Sequence, residues 1–212
     1  MVVFDGSGSM LEMGFNLLEE PRIFAARRAV REAIPQIAPF RRLGLIVYGP
    51  GKREDCSNID VRFPPLAQAA DRLIAELDGM EPAGNTPLTA SVLQAAEVLN
   101  YREEPGIVVL VTDGKETCGG APCQLAAGLA ADGRDLVVHV IGFKVRGNHF
   151  SWDSQGRDDY ANGTTVARCL ADTTGGQYFS TETASELADA LEQTLGCALI
   201  GHALPHGQRR AG

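Results

Sequence analysis

Residues 2–10 read VVFDGSGSM, a short apolar run that leads into one carboxylate and two hydroxyls at Asp5, Ser7 and Ser9. The apolar run predicts a buried strand, and the polar residues follow where that strand would end. Their oxygens suit a hard cation such as Mg²⁺, which keeps several of its waters and needs few protein ligands. The stretch therefore indicates a metal site after the first strand, and an ordinary Gly/Ser turn is the alternative.

Two further segments place oxygen-bearing side chains at the edges of other predicted elements. Thr86 precedes a proline at the predicted first turn of a helix, where the alternative role of its hydroxyl is to cap that helix. Asp113 follows residues 107–112, IVVLVT, which predict a fully buried strand of a parallel sheet. Its alternative role is a turn-forming Asp-Gly pair. Because ligands of α/β sheets bind beyond the carboxyl ends of strands, Asp113 is a candidate for the same site.

Strand-like runs alternate with runs of helical period along the chain. The alternation predicts an α/β fold: a doubly wound, mainly parallel six-stranded sheet with helices on both faces. The strand predicted at 60–63 follows the strand at 43–48 too closely for a crossover helix between them, so we expect it to be the single antiparallel edge strand. Strands are predicted at 2–4, 43–48, 60–63 (the edge strand), 107–112, 136–141 and 177–179, and helices at 22–37, 66–77, 88–99, 124–131, 166–173 and 184–195.

The predicted topology and the polar residues select the same crevice. If the strand order is 3-2-1-4-5-6, the switch point of the sheet lies between the first and fourth strands. Those strands end at Asp5 and Asp113.

Together, Asp5, Ser7, Ser9, Thr86 and Asp113 resemble the metal-ion-dependent adhesion site of the von Willebrand factor type A domain. That family combines a DxSxS sequence after its first strand with a distant threonine and a distant aspartate, and all five positions match. The resemblance implies an adhesion or scaffold domain rather than an enzyme, with a divalent cation that is Mg²⁺, or alternatively Mn²⁺ or Ca²⁺. It also implies that the hydroxyls ligate directly while the carboxylates act mainly through waters. The cation would then accept an Asp or Glu carboxylate from a partner protein.

The resemblance covers residues 1–196, which we expect to form one domain, followed by a tail or the start of a linker at 197–212. The segment TDGKETCGG at 112–120 is more narrowly similar to cysteine-containing bacterial members of the family. Two alternatives to metal-dependent protein binding stay open. One is an Mg²⁺-dependent phosphohydrolase, although position 7 holds a serine where a second acidic group would be needed. The other is a domain with a purely structural ion.

Charge and motifs exclude other classes of function. The chain has 19 Lys and Arg against 27 Asp and Glu, a net charge of −8, and no long basic cluster, so nucleic acid is not an expected partner. No apolar stretch approaches the ~20 residues needed to cross a bilayer. Dinucleotide, Walker, nucleophile-elbow and zinc-protease motifs do not occur.

Cys118 and Cys123 flank the turn GGAP, which is flexible enough to bring two sulfurs together, so we predict a disulfide between them. A structural disulfide implies an oxidising compartment, which for a bacterial domain is the periplasm or the cell surface. Five reduced, buried thiols are one alternative, and the location would then be cytoplasmic. A cysteine zinc site is another, although no local CxxC anchors one.

Residues 144–163 follow the strand predicted at 136–141 and combine three aromatic side chains, Phe150, Trp152 and Tyr160, with charges and glycines. Exposed aromatic residues on loops are frequent anchors for binding, so this segment is a candidate partner-binding loop. The alternative is a solvated loop whose aromatic side chains pack against the domain.

Overall fold

Six strands form one sheet in a computed structural model, which describes residues 1–13, 20–50, 56–114, 116–144 and 167–196. Their bounds are β1 (Val2–Asp5), β2 (Leu43–Tyr48), β3 (Ile59–Leu66), β4 (Gly106–Thr112), β5 (Leu136–Phe143) and β6 (Tyr178–Thr181). Their order across the sheet is β3-β2-β1-β4-β5-β6. All neighbouring strands are parallel except β2 and β3, which are antiparallel. The predicted fold class, strand order and antiparallel edge strand are confirmed.

Helices cover both faces of the sheet, and each face has its own core. The helices are α1 (Arg22–Ile37), α2 (Ala70–Asp78), α3 (Leu88–Val98), α4 (Pro122–Asp132), α5 (167–174) and α6 (Ala184–Leu195). Apolar residues of α1, α2 and α6 pack on one face, and those of α3, α4 and α5 pack on the other. Successive side chains of β1 alternate between the two cores, because side chains alternate across a strand: Val2 and Phe4 join the first core and Val3 the second.

Helices α1 and α6 have the predicted bounds, whereas α2, predicted at 66–77, begins only at Ala70 because Leu66 belongs to β3. The apolar stripe of α1, which includes Ile23, Val30 and Ile34, is almost completely buried against the sheet. At the start of α6, the Thr183 hydroxyl accepts the backbone N–H of Glu186, and the Glu186 side chain accepts the N–H of Thr183. This reciprocal capping satisfies two N–H groups that the first turn of a helix leaves without partners.

The edge strand β3 is longer than predicted. The prediction ended it at Phe63, which two prolines follow, and proline cannot donate to a strand ladder. In the structure β3 continues through Pro64 and Pro65 to Leu66, which pairs with Leu43. An edge strand tolerates this because one side of it needs no partner.

The site lies where the connections from two neighbouring strands diverge. β1 and β4 are parallel neighbours, with Phe4 opposite Val111. The chain then leaves β1 towards α1 on one face and leaves β4 towards α4 on the other. Such a divergence opens a crevice at the carboxyl ends of the two strands. None of the described helices is long and apolar enough to cross a membrane.

Candidate metal centre

Asp5 is the last residue of β1, and its side chain is held in the crevice by two different elements. One carboxylate oxygen, Oδ1, accepts the backbone N–H of Ser7 over 2.8 Å. The other, Oδ2, accepts the hydroxyl of Thr112, at the end of β4, over 2.9 Å. The carboxylate is completely buried, so these donors fix its direction and compensate part of the cost of removing it from water.

A row of hydrogen bonds continues from the turn after β1 to the turn after β4. The hydroxyls of Ser7 and Ser9 lie 3.0 Å apart, and the Ser9 hydroxyl donates to Oδ1 of Asp113 over 2.6 Å. Asp113 is buried, with 1% of its surface exposed. The structure therefore brings Asp5, Ser7, Ser9 and Asp113 together from two segments that are about a hundred residues apart in sequence.

Thr86 lies on a third loop, which is tied to both of the others. The carbonyl of Gly84 accepts the N–H of Gly8 over 3.2 Å, and the backbone of Thr86 exchanges two hydrogen bonds with Thr117 in the loop after β4. The alternative role of Thr86 as a helix cap is not found, because Pro87 takes the N-cap position of α3. The structure thus places all five predicted residues on three adjoining loops at one end of the sheet.

Arg22 is a charged residue of the site that sequence reasoning missed. It is the first residue of α1, only 3% exposed, and its Nη1 donates to Oδ2 of Asp113 over 3.0 Å. The same nitrogen also donates to the carbonyl of Ser9 over 3.1 Å and to Oε2 of Glu12 over 3.2 Å. An arginine at the start of an amphipathic helix is normally solvated, so no signal in the sequence marked this one as buried.

The electrostatics of the crevice favour a positive ion. The pKa of Asp113 is raised to about 7, first by burial and then by the neighbouring Asp5 carboxylate, while the Ser9 hydroxyl and Arg22 oppose the shift without cancelling it. Tyr48, which pairs with Asp5 in the sheet, has its pKa raised mainly by burial and then by the Asp5 charge. Two neighbouring carboxylates in a buried place interact unfavourably unless a proton or a cation lies between them.

The donor set fits a hard divalent cation. It consists of two carboxylates and three hydroxyls, all of them oxygen donors. Neither in this crevice nor elsewhere do the described residues contain a group of three His, Cys, Asp or Glu side chains that could hold a metal. A cation in this crevice would therefore depend on hydroxyls and water as well as carboxylates, which Mg²⁺ accepts more readily than Zn²⁺ does.

The prediction of disulfides is confirmed, but the predicted pair, Cys118 with Cys123, is wrong. The structure joins Cys56 to Cys118 and Cys123 to Cys169, with Cα separations of 5.6 Å and 5.4 Å. The prediction treated residues 119–122 as a free flexible turn. Instead, Pro122 begins α4 and fixes Cys123 on its first turn beside α5, whereas Cys118 belongs to the loop and donates its N–H to Glu116.

The candidate partner-binding residues Phe150, Trp152 and Tyr160 lie outside the described residues, as does the tail at 197–212. Their role stays a prediction.

Comparisons with known proteins agree with this fold. The family model of the von Willebrand factor type A domain matches residues 1–116. The uncharacterized protein YwmD of Bacillus subtilis is 28% identical over an alignment of 204 residues that covers 91% of this chain and 82% of YwmD. Among solved structures, an aerotolerance-related membrane protein of Bacteroides fragilis has a TM-score of 0.63 at 20% identity, covering 92% of this chain and 96% of that one. Manganese-loaded TRAP protein of Plasmodium vivax has a TM-score of 0.59 at 16% identity, covering 92% and 71%.

Proposed function

The chain belongs to the von Willebrand factor type A domain family, and from that premise we propose that it is a metal-dependent protein-binding domain. A divalent cation, foremost Mg²⁺ with Mn²⁺ and Ca²⁺ as alternatives, would be held by Asp5, Ser7, Ser9, Thr86 and Asp113. When bound, the cation would supply a Lewis-acidic position for one carboxylate oxygen of an Asp or Glu of the partner protein. The domain would act in adhesion or as a scaffold, without catalysing a reaction.

The contact that carries this proposal is the 2.6 Å hydrogen bond between the Ser9 hydroxyl and the Asp113 carboxylate. It brings an oxygen donor of the DGSGS turn next to the aspartate that ends β4, with Ser7 adjoining on the same side. A turn formed only for its backbone geometry has no need of this alignment of side-chain oxygens. The alignment is expected if a cation binds between the two loops.

The charges of the described residues support an ion that keeps some positive charge towards a partner. The five side chains contain only two carboxylates, and Arg22 already pairs with one oxygen of Asp113. Neutral hydroxyls then contribute the other protein oxygens. In a protein of net charge −8, such an ion would be a local attractive point for an acidic group.

The two disulfides support a location in the bacterial periplasm or at the cell surface. Disulfides persist in oxidising compartments and are rare where thiols are kept reduced. The structural similarity to a membrane protein of Bacteroides fragilis is in keeping with that location.

The first test is calorimetric titration of the oxidised protein with Mn²⁺ or Mg²⁺. We expect Asp5→Asn, which keeps the size of the side chain but removes its charge, to weaken binding by at least about tenfold. Asp172→Asn is the matched control, because it removes an exposed carboxylate on α5 that pairs with Arg168 on its own helix. Equal affinities for wild type and Asp5→Asn, with the fold verified by circular dichroism, would contradict the assignment.

The second test concerns the partner, captured from the native organism with and without chelator. Binding should be lost in EDTA, restored by Mg²⁺ or Mn²⁺, and eliminated by replacing one Asp or Glu of the partner. Partner binding that is unchanged in EDTA would leave the ion a structural role. Turnover of generic phosphate esters would favour a phosphohydrolase instead.

A further inference from the structure

The loop after β4 contains three consecutive residues, Glu116, Thr117 and Cys118, that we call the Thr86 clamp. We propose that this clamp positions Thr86 and that the disulfide from Cys118 to Cys56 holds the clamp, so that metal binding depends on the oxidation state of this disulfide. The inference rests on the proposed function and adds positioning residues and a redox control to its site.

Thr117 contacts Thr86 through two reciprocal hydrogen bonds. The N–H of Thr86 donates to the Thr117 hydroxyl over 2.8 Å, and the N–H of Thr117 donates to the carbonyl of Thr86 over 3.2 Å. Both polar backbone groups of Thr86 are therefore directed by one residue of another loop. Because the backbone of Thr86 sets where its side chain projects, Thr117 decides how the Thr86 hydroxyl is presented to the crevice.

Glu116 fastens the clamp to the helix that follows Thr86. Its Oε2 accepts the N–H of Thr89, in the first turn of α3, over 2.7 Å, and its Oε1 accepts the N–H of Cys118 over 2.8 Å. The carboxylate thus replaces the side-chain cap that α3 lacks. A Cβ added at Gly120 would lie 2.6 Å from the Glu116 carboxylate, so the loop is closely packed around this connection.

The disulfide ties the far end of the clamp to the loop between β2 and β3. Cys56 is exposed and Cys118 half-buried, so a reductant in solution can reach the bond. A dithiol reductant would transfer two electrons and two protons, leaving two thiols here and becoming a disulfide itself. Thr117, Gly119 and Gly120 are exposed, so after reduction the loop would be held by the hydrogen bonds of Glu116 and Thr117 without a covalent bond to Cys56.

The second disulfide is a natural control. It joins α4 to α5, and neither helix carries any of the five motif residues. It closes 46 residues, against 62 for Cys56–Cys118, so the two bonds restrict the unfolded chain to a similar degree. If the variants that lack one or the other disulfide differ in metal affinity, the cause would be the position of the missing bond rather than a general loss of stability.

The experiment is calorimetric titration with Mn²⁺ alone, using the full chain. C56S/C118S should bind Mn²⁺ about 10- to 100-fold more weakly than the oxidised wild type, the range found when groups that orient metal ligands are removed. T117V, which removes the acceptor hydroxyl and keeps both disulfides, should show a loss in the same range. T117S, which keeps the hydroxyl, and C123S/C169S should bind like the wild type.

The outcomes separate this inference from the proposed function. If the wild type binds Mn²⁺ and both C56S/C118S and T117V bind equally well, the clamp is overturned while the metal site stands. If the two double variants weaken binding equally, the redox control is overturned. If the oxidised wild type does not bind Mn²⁺, the proposed function fails and the inference fails with it. Circular dichroism verifies folding. If C56S/C118S does not fold, the comparison of T117V with T117S decides the clamp, and titration of C123S/C169S before and after reduction by a dithiol decides the redox control.

Discussion

The guanidinium of Arg22 donates to the carboxylate of Asp113 over 3.0 Å, and both side chains are buried. This pair places one fixed positive charge beside the two carboxylates, Asp5 and Asp113, at the carboxyl ends of β1 and β4. It compensates part of the negative charge in the crevice when no other cation is bound. Removing one partner of a buried ion pair is costly, because the other charge is left uncompensated.

We therefore expect Arg22→Met to lower the free energy of unfolding of the metal-free protein by about 3 kcal/mol. Added Mg²⁺ should restore part of that loss, so it should raise the melting temperature of Arg22→Met more than that of the wild type. Arg31→Met is the control on the same helix, because its ion pair with Asp78 is exposed and should contribute less than about 1 kcal/mol. Denaturant titrations with the same effect for both variants would contradict a charge-compensating role for Arg22.

A pH dependence of metal affinity follows from the raised pKa of Asp113. In the metal-free protein that pKa is about 7, so the carboxyl group carries a proton below this pH. A cation must displace the proton, and its affinity should fall by up to about tenfold per pH unit below 7 and level off above it. Titrations from about pH 8 to about pH 6, in buffers of different ionisation enthalpy, would detect the released proton. Constant affinity over that range would mean that Asp113 is already ionised or does not take part.

Gly49, in the turn after β2, is required for the close approach of two site loops. Its φ is +75°, and a Cβ there would lie 2.8 Å from the Ser7 nitrogen and 2.8 Å from the Asn85 carbonyl. Gly49→Ala should therefore displace the DGSGS turn and weaken Mn²⁺ binding, besides losing about 1–3 kcal/mol of stability to backbone strain.

Gly175→Ala separates these two effects. Gly175 has the same φ of +75°, but a Cβ there would have no neighbour within 4 Å in the part of the chain that the structure describes. The variant should lose stability through strain alone and keep its affinity for Mn²⁺. Equal metal affinities for the two alanine variants in calorimetry would show that Gly49 does not position Ser7.

The disulfide pairing can be checked by peptide mapping without reduction. We expect peptides that link Cys56 to Cys118 and Cys123 to Cys169, and each link should stabilise the domain by about 4 kcal/mol according to the length of the loop it closes. C123S/C169S and C56S/C118S should thus lose similar amounts of stability in thermal unfolding. A peptide linking Cys118 to Cys123 would contradict the pairing.

The architecture follows from local patterns in the sequence, and the five candidate ligands follow from those patterns together with the resemblance to a family motif. Runs such as IVVLVT at 107–112 are too short for helices and too apolar for exposed strands, so they predict buried parallel strands. The stripe at 22–37 has a helical period, and α1 has the bounds that the stripe predicts. Each signal lies within about fifteen residues, because strand and helix periods are properties of neighbouring residues. The sequence alone therefore predicts where strands end and which polar side chains follow them.

Only the tertiary structure decided what surrounds those ligands. Three contacts join residues far apart in the sequence. The separation is 91 residues for Arg22 and Asp113, 31 for Thr117 and Thr86, and 62 for Cys118 and Cys56. The nearer partner for Cys118, five residues away, was the wrong one, because the start of α4 turns Cys123 towards α5. Such contacts depend on how loops from different strands pack at the end of the sheet. No local period or spacing encodes that packing, since it arises only when the sheet has brought the loops together.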